Sequence, residues 1–332
     1  MSVRPDVTVV VPTRNRRALL GDTLRAALAQ EGVDLEIIVV DEGSSDGTWE
    51  WVREVEDPRV HAVRHDVARG VAAARNAGIA AAKGHVIAFL DDDDLWCPRK
   101  LRTQLDALAA TGAGWAWAGI VVLDDERRVA RAIDAPDAQS ILRELLTFPV
   151  SAIPAGASNV VVDAQLLRAV GGFDERFSHL ADWDLWLRLA ERSPGVSCPE
   201  LLVAYVQHGG SMLVNDAGAL LDEFDALVDR HAALAVARGV AFDRLRFARW
   251  VAWGHRRAGR RALAARIYLA GAVRHRSPGN VARAAGALLG ERAWAPFSST
   301  PFDPHAPCPD WLRPYQASSA AASSARATTN AR

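Results

Sequence analysis

Four consecutive aspartates, Asp91 to Asp94, follow an apolar run in the segment HVIAFLDDDDLW. Adjacent carboxylates repel one another, so a cluster of this kind indicates a bound positive group. Carboxylate oxygens suit Mg²⁺ or Mn²⁺ better than zinc, and Mg²⁺ usually takes one or two of them together with water and phosphate oxygens. Alternation along an extended chain predicts that Asp91 and Asp93 face one side and Asp92 the other. The alternative for Asp93 or Asp94 is a cap on the helix that begins near Pro98.

Two further polar residues stand where a strand ends or a helix begins. Asp41 ends the apolar run EIIVVD and precedes a Gly/Ser turn, where a carboxylate can accept hydrogen bonds from a ribose or a base edge. Arg75 lies in the first turns of a helix that opens at Gly70, and both the helix N-terminus and the guanidinium favour an anion there. A surface arginine on an Ala-rich helix is the alternative for Arg75.

Asp182 heads a helix face that is otherwise apolar in the segment ADWDLWLRLA. An acid in that position points into the protein or a cleft, or else it is an N-cap. Asp184 can pair with Arg188 at i, i+4, which is the ordinary surface arrangement. His208 precedes two glycines at the end of a strand pattern, so it is a candidate metal or phosphate ligand, although a lone histidine is more often structural.

The elements that position these residues form an α/β pattern over the first hundred residues. Strand patterns at 7–12, 35–41, 59–65 and 85–91 alternate with helix patterns at 16–30, 46–55 and 70–82. This alternation predicts a Rossmann-like, mostly parallel sheet that is covered by helices on both faces. Ligands bind at the carboxyl ends of the strands in such sheets, and PTRN, DEGSSDG and DDDD follow the first, second and fourth strands.

The remainder of the chain is organised differently. Residues 1–112 are interpreted as the α/β half, and 113–215 as a mixed half with a hairpin that turns at Asp124-Asp125. Residues 216–293 read as Arg-rich helices. Residues 294–332 are rich in Pro, Ser and Ala, and we expect most of that tail to be disordered.

Composition and cysteine usage indicate a soluble globular protein. Of 332 residues, 50% are hydrophobic and 24% charged. The N-terminus lacks a signal-peptide layout, and the longest apolar run, AGWAWAGIVVL, is too short to span a bilayer. The three cysteines contain no CxxC pair, so neither a disulfide framework nor a zinc cluster is indicated. We expect a cytoplasmic protein.

Charge is distributed unevenly along the chain. Residues 241–292 contain twelve arginines and only two acids, so about +10 in this segment faces about −12 in the first 240 residues. This asymmetry indicates contact with an anionic surface or partner, or else a compositional preference for Arg over Lys. We favour packing of these helices on the catalytic domain or a homodimer contact. The alternative is peripheral contact with the inner face of an anionic membrane, through a stripe of arginines with Trp250 and Trp253 near its edge. The stripe would consist of Arg249, Arg256, Arg257, Arg260 and Arg261.

Taken in order, five stretches of the sequence resemble the family 2 glycosyltransferases of the GT-A fold. They are VTVVVPTRNR, EIIVVDEGSSDGT, ARNAGIAAAKGHVIAFLDDDDLWCPRKL, GGFDERFSHLADWDLWLRLA and YVQHGGSM, and they lie between residues 7 and about 212. The resemblance implies an inverting transfer from a nucleoside-diphosphate sugar, UDP- or dTDP-type, to a hydroxyl acceptor on a glycan, a lipid-linked sugar or a small molecule. It also implies a role in making a cell-surface polysaccharide or a glycosylated natural product.

The same resemblance implies that residues 1–112 are the nucleotide-sugar-binding half of the GT-A domain and that 113–215 are the acceptor-binding half with the catalytic base. It implies that the nucleotide sugar is bound by Pro12, Thr13, Arg14, Asp41, Arg75, Asp91 and Asp92. Asp92 lies near the ribose, and Arg75 lies near the donor.

The resemblance also assigns a metal site and a base. Asp91 to Asp93 match the family's DXD motif, with Asp93 as the main ligand of Mn²⁺ or Mg²⁺ and Asp91 and His208 beside it. Asp182 matches the catalytic base, although many relatives have Glu-Asp where this chain has Ala181-Asp182.

Two other interpretations of the sequence compete with a glycosyltransferase. A sugar-nucleotide pyrophosphorylase would need a Gly-rich, basic phosphate loop after the first strand, and PTRNRRALLGD lacks that glycine pattern. A catalytically silent module that binds a nucleotide sugar or a glycan is the alternative from another class. The presence of both the aspartate cluster and Asp182 argues against loss of catalysis.

Overall fold

The computed structural model describes residues 4–124, 126–147, 152–207, 217–289, 294, 297 and 306–316. The chain divides into two compact units. The first comprises Met1–Ile141, Ile153–Gln207 and Asp303–Arg332, and the second comprises Leu142–Ala152 and His208–Phe302.

The first half of the first unit alternates strands and helices. Its strands pair in the order β3-β2-β1-β4, and all three pairings are parallel. The predicted parallel sheet is therefore confirmed for these strands. The elements are β1 Val7–Thr13, α1 Arg17–Leu28, β2 Leu35–Glu42, α2 Thr48–Arg53, β3 Val60–His65, α3 Val71–Ala81 and β4 Val86–Phe89.

The second half extends the same sheet with mixed pairing. β8 is antiparallel to β4 and β6, β9 is parallel to β6, and β5 is antiparallel to β9. The predicted hairpin is confirmed as β6 and β7, which pair antiparallel. Along the chain the elements between residues 95 and 206 are β5 Leu95–Trp96, α4 Lys100–Thr111, β6 Trp115–Leu123, β7 Val129–Ile133, α5 Ile141–Thr147, a 3₁₀ helix Gly156–Asn159, β8 Val161–Asp163, α6 Ala164–Ala169, α7 Ala181–Arg192 and β9 Gly195–Val206. Of these, α5 belongs to the second unit from Leu142 onward.

Strands β1 and β2 are buried along their whole length, which explains their continuous runs of Val and Ile. On the other half of the sheet, tryptophans fill the core. The rings of Trp115 and Trp186 stack with centroids 6.1 Å apart, and Trp117 lies 4.7 Å from Trp115. A Cβ at Gly195 would lie 2.3 Å from the Trp117 ring, so the packing of these rings requires a glycine there.

The second unit is helical in its described part. Its helices are α8 Ala217–Arg230, α9 Ala232–Ala237, α10 Arg244–Arg257, α11 Arg261–Arg274 and α12 Pro278–Leu289. No helix among the described residues is both long enough and apolar enough to cross a membrane.

The predicted arginine stripe on α10 and α11 is wrong for two of its members. Arg249 donates to Asn280 Oδ1 at 2.6 Å and to Ser277 Oγ at 3.1 Å, so it joins α10 to the start of α12. Arg256 is buried, with its guanidinium 5.5 Å from the centre of the Trp294 ring. Both side chains are used inside the helical unit and do not form one exposed stripe.

Part of the segment expected to be a disordered tail is ordered. Residues 306–316 contain a 3₁₀ helix, Asp310–Leu312, and belong to the first unit. Leu312 is fully buried in a cluster with Leu95 and Val206, and Trp311 Nε1 donates to the Leu201 carbonyl at 3.2 Å. The expectation concerned most of the tail, and these residues are an exception to it.

Candidate active site

The four aspartates form a turn, not an extended strand. β4 ends at Phe89, and the Asp94 N–H donates to the Asp91 carbonyl at 3.2 Å, which closes a four-residue β-turn before β5. The alternation that would place Asp91 and Asp93 on one side therefore does not apply. Each of the four carboxyl groups has its own environment, so each must be assigned from its contacts.

Asp94 is not a helix cap. Its side chain is fully buried, and its Oδ1 accepts the Val206 N–H from β9 at 3.1 Å. Its carbonyl accepts the Thr23 hydroxyl at 3.0 Å, while α4 begins at Lys100 without any side-chain cap. Burial raises the pKa of Asp94 well above the usual range for a carboxyl group. Asp94 thus anchors the turn to β9.

Asp92 contacts the end of β1. The Thr13 hydroxyl donates to Asp92 Oδ2 at 2.7 Å. Burial and repulsion from Asp93 raise the pKa of Asp92 to about 7. An ionised Asp92 is therefore costly at this position without a nearby positive charge.

Arg75 and Asp91 form an ion pair in which the arginine is the buried partner. Arg75 Nη2 donates to Asp91 Oδ1 at 2.6 Å, and its guanidinium lies 5.2 Å from the centre of the Phe173 ring. The Asp91 N–H donates to Ser158 Oγ at 3.0 Å. The alternative of a surface arginine is wrong, because Arg75 is 6% exposed. Its Nε is buried and lacks a hydrogen-bond partner among the described residues.

Asp41 lies beside the end of β1, where its partner in the parallel register is Thr13. It is buried, and its Oδ2 accepts the Ser44 N–H at 3.2 Å while Arg64 Nε lies 3.7 Å away. Its Oδ1 has no hydrogen-bond partner in the described part of the chain. A buried acceptor without a donor is costly, so this oxygen is suited to bind a donor group of a ligand. Pro12 precedes Thr13 in β1, and the exposed Arg14 follows it.

Asp182 lies in the first turn of α7 and is half-buried. Burial raises its pKa, while the positive charge of Arg75 acts in the opposite direction and Asp91 adds to the increase. Its Oδ1 accepts the Trp183 N–H at 2.7 Å. A Cβ at Gly156 would lie 2.6 Å from Asp182 Oδ2, so the 3₁₀ helix makes room for this carboxylate with a glycine at φ +48°.

Asp184 does pair with Arg188, but inside the protein. Arg188 Nε donates to Asp184 Oδ2 at 2.8 Å, and the Asp184 side chain is fully buried. Arg188 also donates to the carbonyls of Val170 at 2.7 Å and Gly172 at 2.8 Å. The expectation of a surface pair is therefore wrong, and these contacts fix the loop before α7.

Glu42 is a residue of this region that the sequence analysis did not select. It is buried at the end of β2, where Oε1 contacts His65 Nδ1 and Oε2 accepts the N–H groups of Arg69 at 2.6 Å and Gly70 at 2.7 Å. Helix α3 has no side-chain cap of its own. The acid that follows Asp41 and the uncapped glycine at the start of α3 are the signals that could have suggested this contact.

The carboxylates fit a cation that is shared with a phosphate group. Among the described residues no three His, Cys, Asp or Glu side chains are arranged to hold a metal alone. Mg²⁺ needs only one or two carboxylates when phosphate oxygens complete its shell, and a cation would relieve the repulsion that raises the pKa of Asp92. His208 lies outside the described residues, so its role stays a prediction.

These features define a class of protein. A parallel sheet with an unpaired carboxylate oxygen, a buried arginine and clustered aspartates at the carboxyl ends of its strands is typical of α/β proteins that bind nucleotides. Residues 8–155, somewhat less than half of the chain, match the sequence model of Glycosyl transferase family 2.

Two relatives show the range of similarity. The chain is 39% identical over 151 residues to the succinoglycan biosynthesis protein ExoO of Rhizobium meliloti (strain 1021), a match that covers 46% of this chain and 41% of that protein. It is 27% identical over 225 residues to the UDP-Glc:alpha-D-GlcNAc-diphosphoundecaprenol beta-1,3-glucosyltransferase WfgD of Escherichia coli, covering 67% of this chain and 85% of that protein. The chain thus spans less than half of the first relative.

Solved structures share the fold. TarS 1-349 of S. aureus in complex with UDP-GlcNAc superposes with a TM-score of 0.60 at 16% identity, covering 87% of this chain and 83% of that one. The mannosyltransferase PcManGT from Pyrobaculum calidifontis, in complex with GDP-Man and Mn2+, superposes with a TM-score of 0.53 at 23% identity, covering 96% and 81%. The predicted GT-A fold is confirmed.

Proposed function

We propose that this glycosyltransferase moves a sugar from a nucleoside-diphosphate sugar to a hydroxyl acceptor, with inversion in a single displacement and with Asp182 as the base. The observation that carries the proposal is the position of Asp182, half-buried at the start of α7 and within the field of both Arg75 and Asp91. A carboxylate with a raised pKa is a suitable proton acceptor in neutral solution.

The donor nucleotide would lie across the ends of β1 and β2. The unpartnered Oδ1 of Asp41 suits an imide N–H of uracil or thymine, which favours a UDP- or dTDP-sugar. Pro12, Thr13 and Arg14 would line the base and ribose, and Asp92 would lie near the ribose. Structural neighbours that hold UDP-GlcNAc or GDP-Man support a nucleotide-sugar donor of this general kind.

Mn²⁺ or Mg²⁺ would be held by Asp93, with Asp91 and His208 beside it, and by the diphosphate. When bound, such an ion neutralises negative charge on the leaving diphosphate. The crowded carboxylates support this assignment, as does the Mn2+ in the PcManGT structure.

The residues of the chain divide the chemistry between them. Asp182 accepts the proton of the acceptor hydroxyl while the oxygen of that hydroxyl forms a bond to the anomeric carbon of the donor sugar. At the same time the bond between the anomeric carbon and the diphosphate oxygen breaks. Arg75 stabilises the growing charge on the diphosphate, and Asp91 and Phe173 hold its guanidinium in place. General-base catalysis of this kind contributes about 10²–10⁴-fold.

The acceptor is proposed to be a hydroxyl of a glycan, a lipid-linked sugar or a small molecule. The printed name of WfgD describes a diphosphoundecaprenol-linked acceptor, which favours the lipid-linked choice. An enzyme with such an acceptor would act at the cytoplasmic face of a membrane.

Asp182→Asn tests the base. The variant should lose turnover by about 10²-fold or more, because Asn cannot accept the proton, while calorimetric UDP binding stays within about twofold. The donor is found first by measuring hydrolysis of a panel of nucleotide sugars with Mn²⁺, and the exposed Asp106→Asn serves as the matched control. Unchanged turnover in Asp182→Asn contradicts the base assignment. Nucleotide binding without turnover of any donor and acceptor favours the silent-module alternative.

Asp93→Ala tests the metal site. The variant should bind UDP equally with and without Mn²⁺, whereas the parent protein should bind more tightly with the metal, because the ion links the carboxylate to the diphosphate. Equal UDP affinity of the parent with Mn²⁺ and with a chelator would refute metal use.

A further inference from the structure

The outward face of α12 consists of apolar side chains alone. Every position of this helix is described, and its exposed residues are Pro278, Val281, Ala282, Ala285, Leu288 and Leu289. Val281 is 52% exposed and Leu288 is 54% exposed. Single exposed hydrophobic side chains are ordinary, but a helix whose whole outward face is apolar indicates a surface that something covers.

Helix α11 packs against α12 and adds to this surface. A Cβ at Gly271 would lie 2.8 Å from Asn280 Nδ2, so the two helices approach closely there. Val273 is 83% exposed and Leu269 is 45% exposed on α11. We call the exposed residues of α11 and α12 the α11–α12 face.

The charge on the α11–α12 face has one sign. Residues 261–289 contain five arginines and no Asp, Glu or Lys. Arg261, Arg266 and Arg274 are exposed on α11, and Arg276 is exposed in the turn that follows. Arg274 forms an ion pair with Asp225 of α8 at 3.8 Å, so part of its charge is neutralised. The face therefore combines apolar side chains on both helices with exposed arginines on α11 and in the turn after it.

We propose that the α11–α12 face binds an anionic membrane surface. Interfacial helices bury apolar side chains about 5–10 Å into the boundary of headgroups and acyl chains, and long arginine side chains beside them reach the lipid phosphates. A second copy of the chain fits less well, because a two-fold contact would set two faces of the same positive sign against each other. Access to a lipid-linked acceptor is the use of this surface only if the proposed function holds, and membrane binding itself does not depend on it.

Vesicle co-sedimentation with the full chain tests the proposal. The parent should bind vesicles that contain phosphatidylglycerol, bind pure phosphatidylcholine vesicles weakly, and lose affinity as salt rises. The double variant Val281→Asp/Leu288→Asp should bind at least about tenfold more weakly, because two apolar contacts are replaced by charges that anionic lipid repels. Arg266→Ala should weaken binding to anionic vesicles about fivefold.

The vesicle experiment has one control variant, and three of its possible results would overturn the membrane proposal. Val236→Asp on α9 changes a valine of the second unit that is even more exposed, at 78%, and this variant should bind vesicles like the parent. Circular dichroism should be the same for all variants, because the changed side chains are exposed. The proposal is overturned if the parent binds no vesicles, if the double variant binds like the parent, or if light scattering shows a parent dimer that the double variant makes monomeric.

Donor hydrolysis separates this proposal from the function. The double variant should hydrolyse a soluble nucleotide sugar at the parent's rate, since the changed residues lie outside the aspartate site. If the parent hydrolyses no nucleotide sugar but still binds anionic vesicles in a salt-sensitive way, the proposed function is wrong and the proposed membrane-binding surface is supported.

Discussion

At the level of single residues, Asp91, Asp92 and Asp94 have three different environments. Asp94 is fully buried against β9, Asp92 is hydrogen-bonded to Thr13, and Asp91 is paired with Arg75. Burial and mutual repulsion raise the pKa values of Asp92 and Asp94. The cluster is therefore held in a state that favours protonation or a bound cation, and this should appear in the pH dependence of stability.

Asp92→Asn should stabilise the metal-free protein at alkaline pH. With a folded pKa of about 7 against 3.8 for the ordinary group, folded Asp92 keeps a proton that the unfolded chain has lost between these values. Stability therefore falls as pH rises through this window, and Asn removes that contribution. In a chelator, the melting temperature of the variant should exceed that of the parent at pH 8 and approach it near pH 4. The same difference at both pH values would contradict the assignment, and Asp106→Asn should match the parent throughout.

Gly156→Ala should reduce kcat more than it changes the KM of the donor. The added Cβ would lie 2.6 Å from Asp182 Oδ2 and must displace the carboxylate. Gly112→Ala is the matched control, because Gly112 has a similar positive φ of +69° with no atom within 4 Å of the added Cβ. Steady-state kinetics should show about a tenfold or greater loss of kcat for Gly156→Ala alone, by analogy with displacement of other catalytic groups. Equal losses in both variants would indicate backbone strain and not displacement of the base.

The sequence predicted which residues lie in the candidate site better than it predicted how each of them is oriented. Asp41, Arg75, the aspartate cluster and Asp182 lie at the carboxyl ends of strands or at helix starts, where the sequence pattern placed them. The individual roles within Asp91 to Asp94 could not be read, because alternation assumes an extended chain and the chain turns there. The partner of Asp94 is Val206, 112 residues away, and no local pattern contains that contact.

At the level of elements, Glu42 connects β2 to the start of α3. Its carboxylate accepts two backbone N–H groups just before the helix that carries Arg75. Because α3 has no side-chain cap, this contact fixes where the helix begins and so contributes to the position of Arg75. The stability of one element and the geometry of the site are therefore linked.

Glu42→Ala should destabilise the first unit by about 1.5–3 kcal/mol, because two backbone N–H groups lose the buried, charged acceptor that Glu42 provides. Urea denaturation measures this change, and the donor KM should rise as Arg75 becomes less ordered. Glu175→Ala is the control: Glu175 lies 3.5 Å from Arg69 but is 46% exposed, so its loss should cost less than about 1 kcal/mol. A Glu42→Ala variant as stable as the control would show that the helix start does not depend on this carboxylate.

The second half of the sheet shows where element prediction fails. β5 has two residues and β8 has three, which is too short for a periodic pattern. Their directions are set by pairing with β9 and β4, strands that are distant in sequence. The long runs of β1, β2 and β6 were readable because burial on both faces makes them continuously apolar.

At the level of the whole molecule, the chain leaves the first unit twice, after Ile141 and after Gln207, and it returns at Ile153 and at Asp303. Helices α8 to α12 of the second unit lie between Gln207 and Asp303. The returning segment, residues 306–316, lies in a tail that is rich in Pro, Ser and Ala, and this composition predicted disorder. A composition does not show which few apolar residues will be buried. In this segment they are Trp311, Leu312 and Tyr315, which pack against β5, β6 and β9.

Leu312→Ala should therefore destabilise the first unit, although the residue lies only about twenty positions from the end of the chain. Leu312 is fully buried, and truncation of a buried leucine to alanine costs about 2–5 kcal/mol through lost burial and the remaining cavity. Urea denaturation followed by tryptophan fluorescence reports on this unit, since Trp96, Trp115 and Trp186 are buried there. The neighbouring exposed Arg313→Ala should stay within about 0.5 kcal/mol of the parent. If Leu312→Ala unfolds at the same urea concentration as Arg313→Ala, the returning segment is an appendage, and the first unit is complete without it.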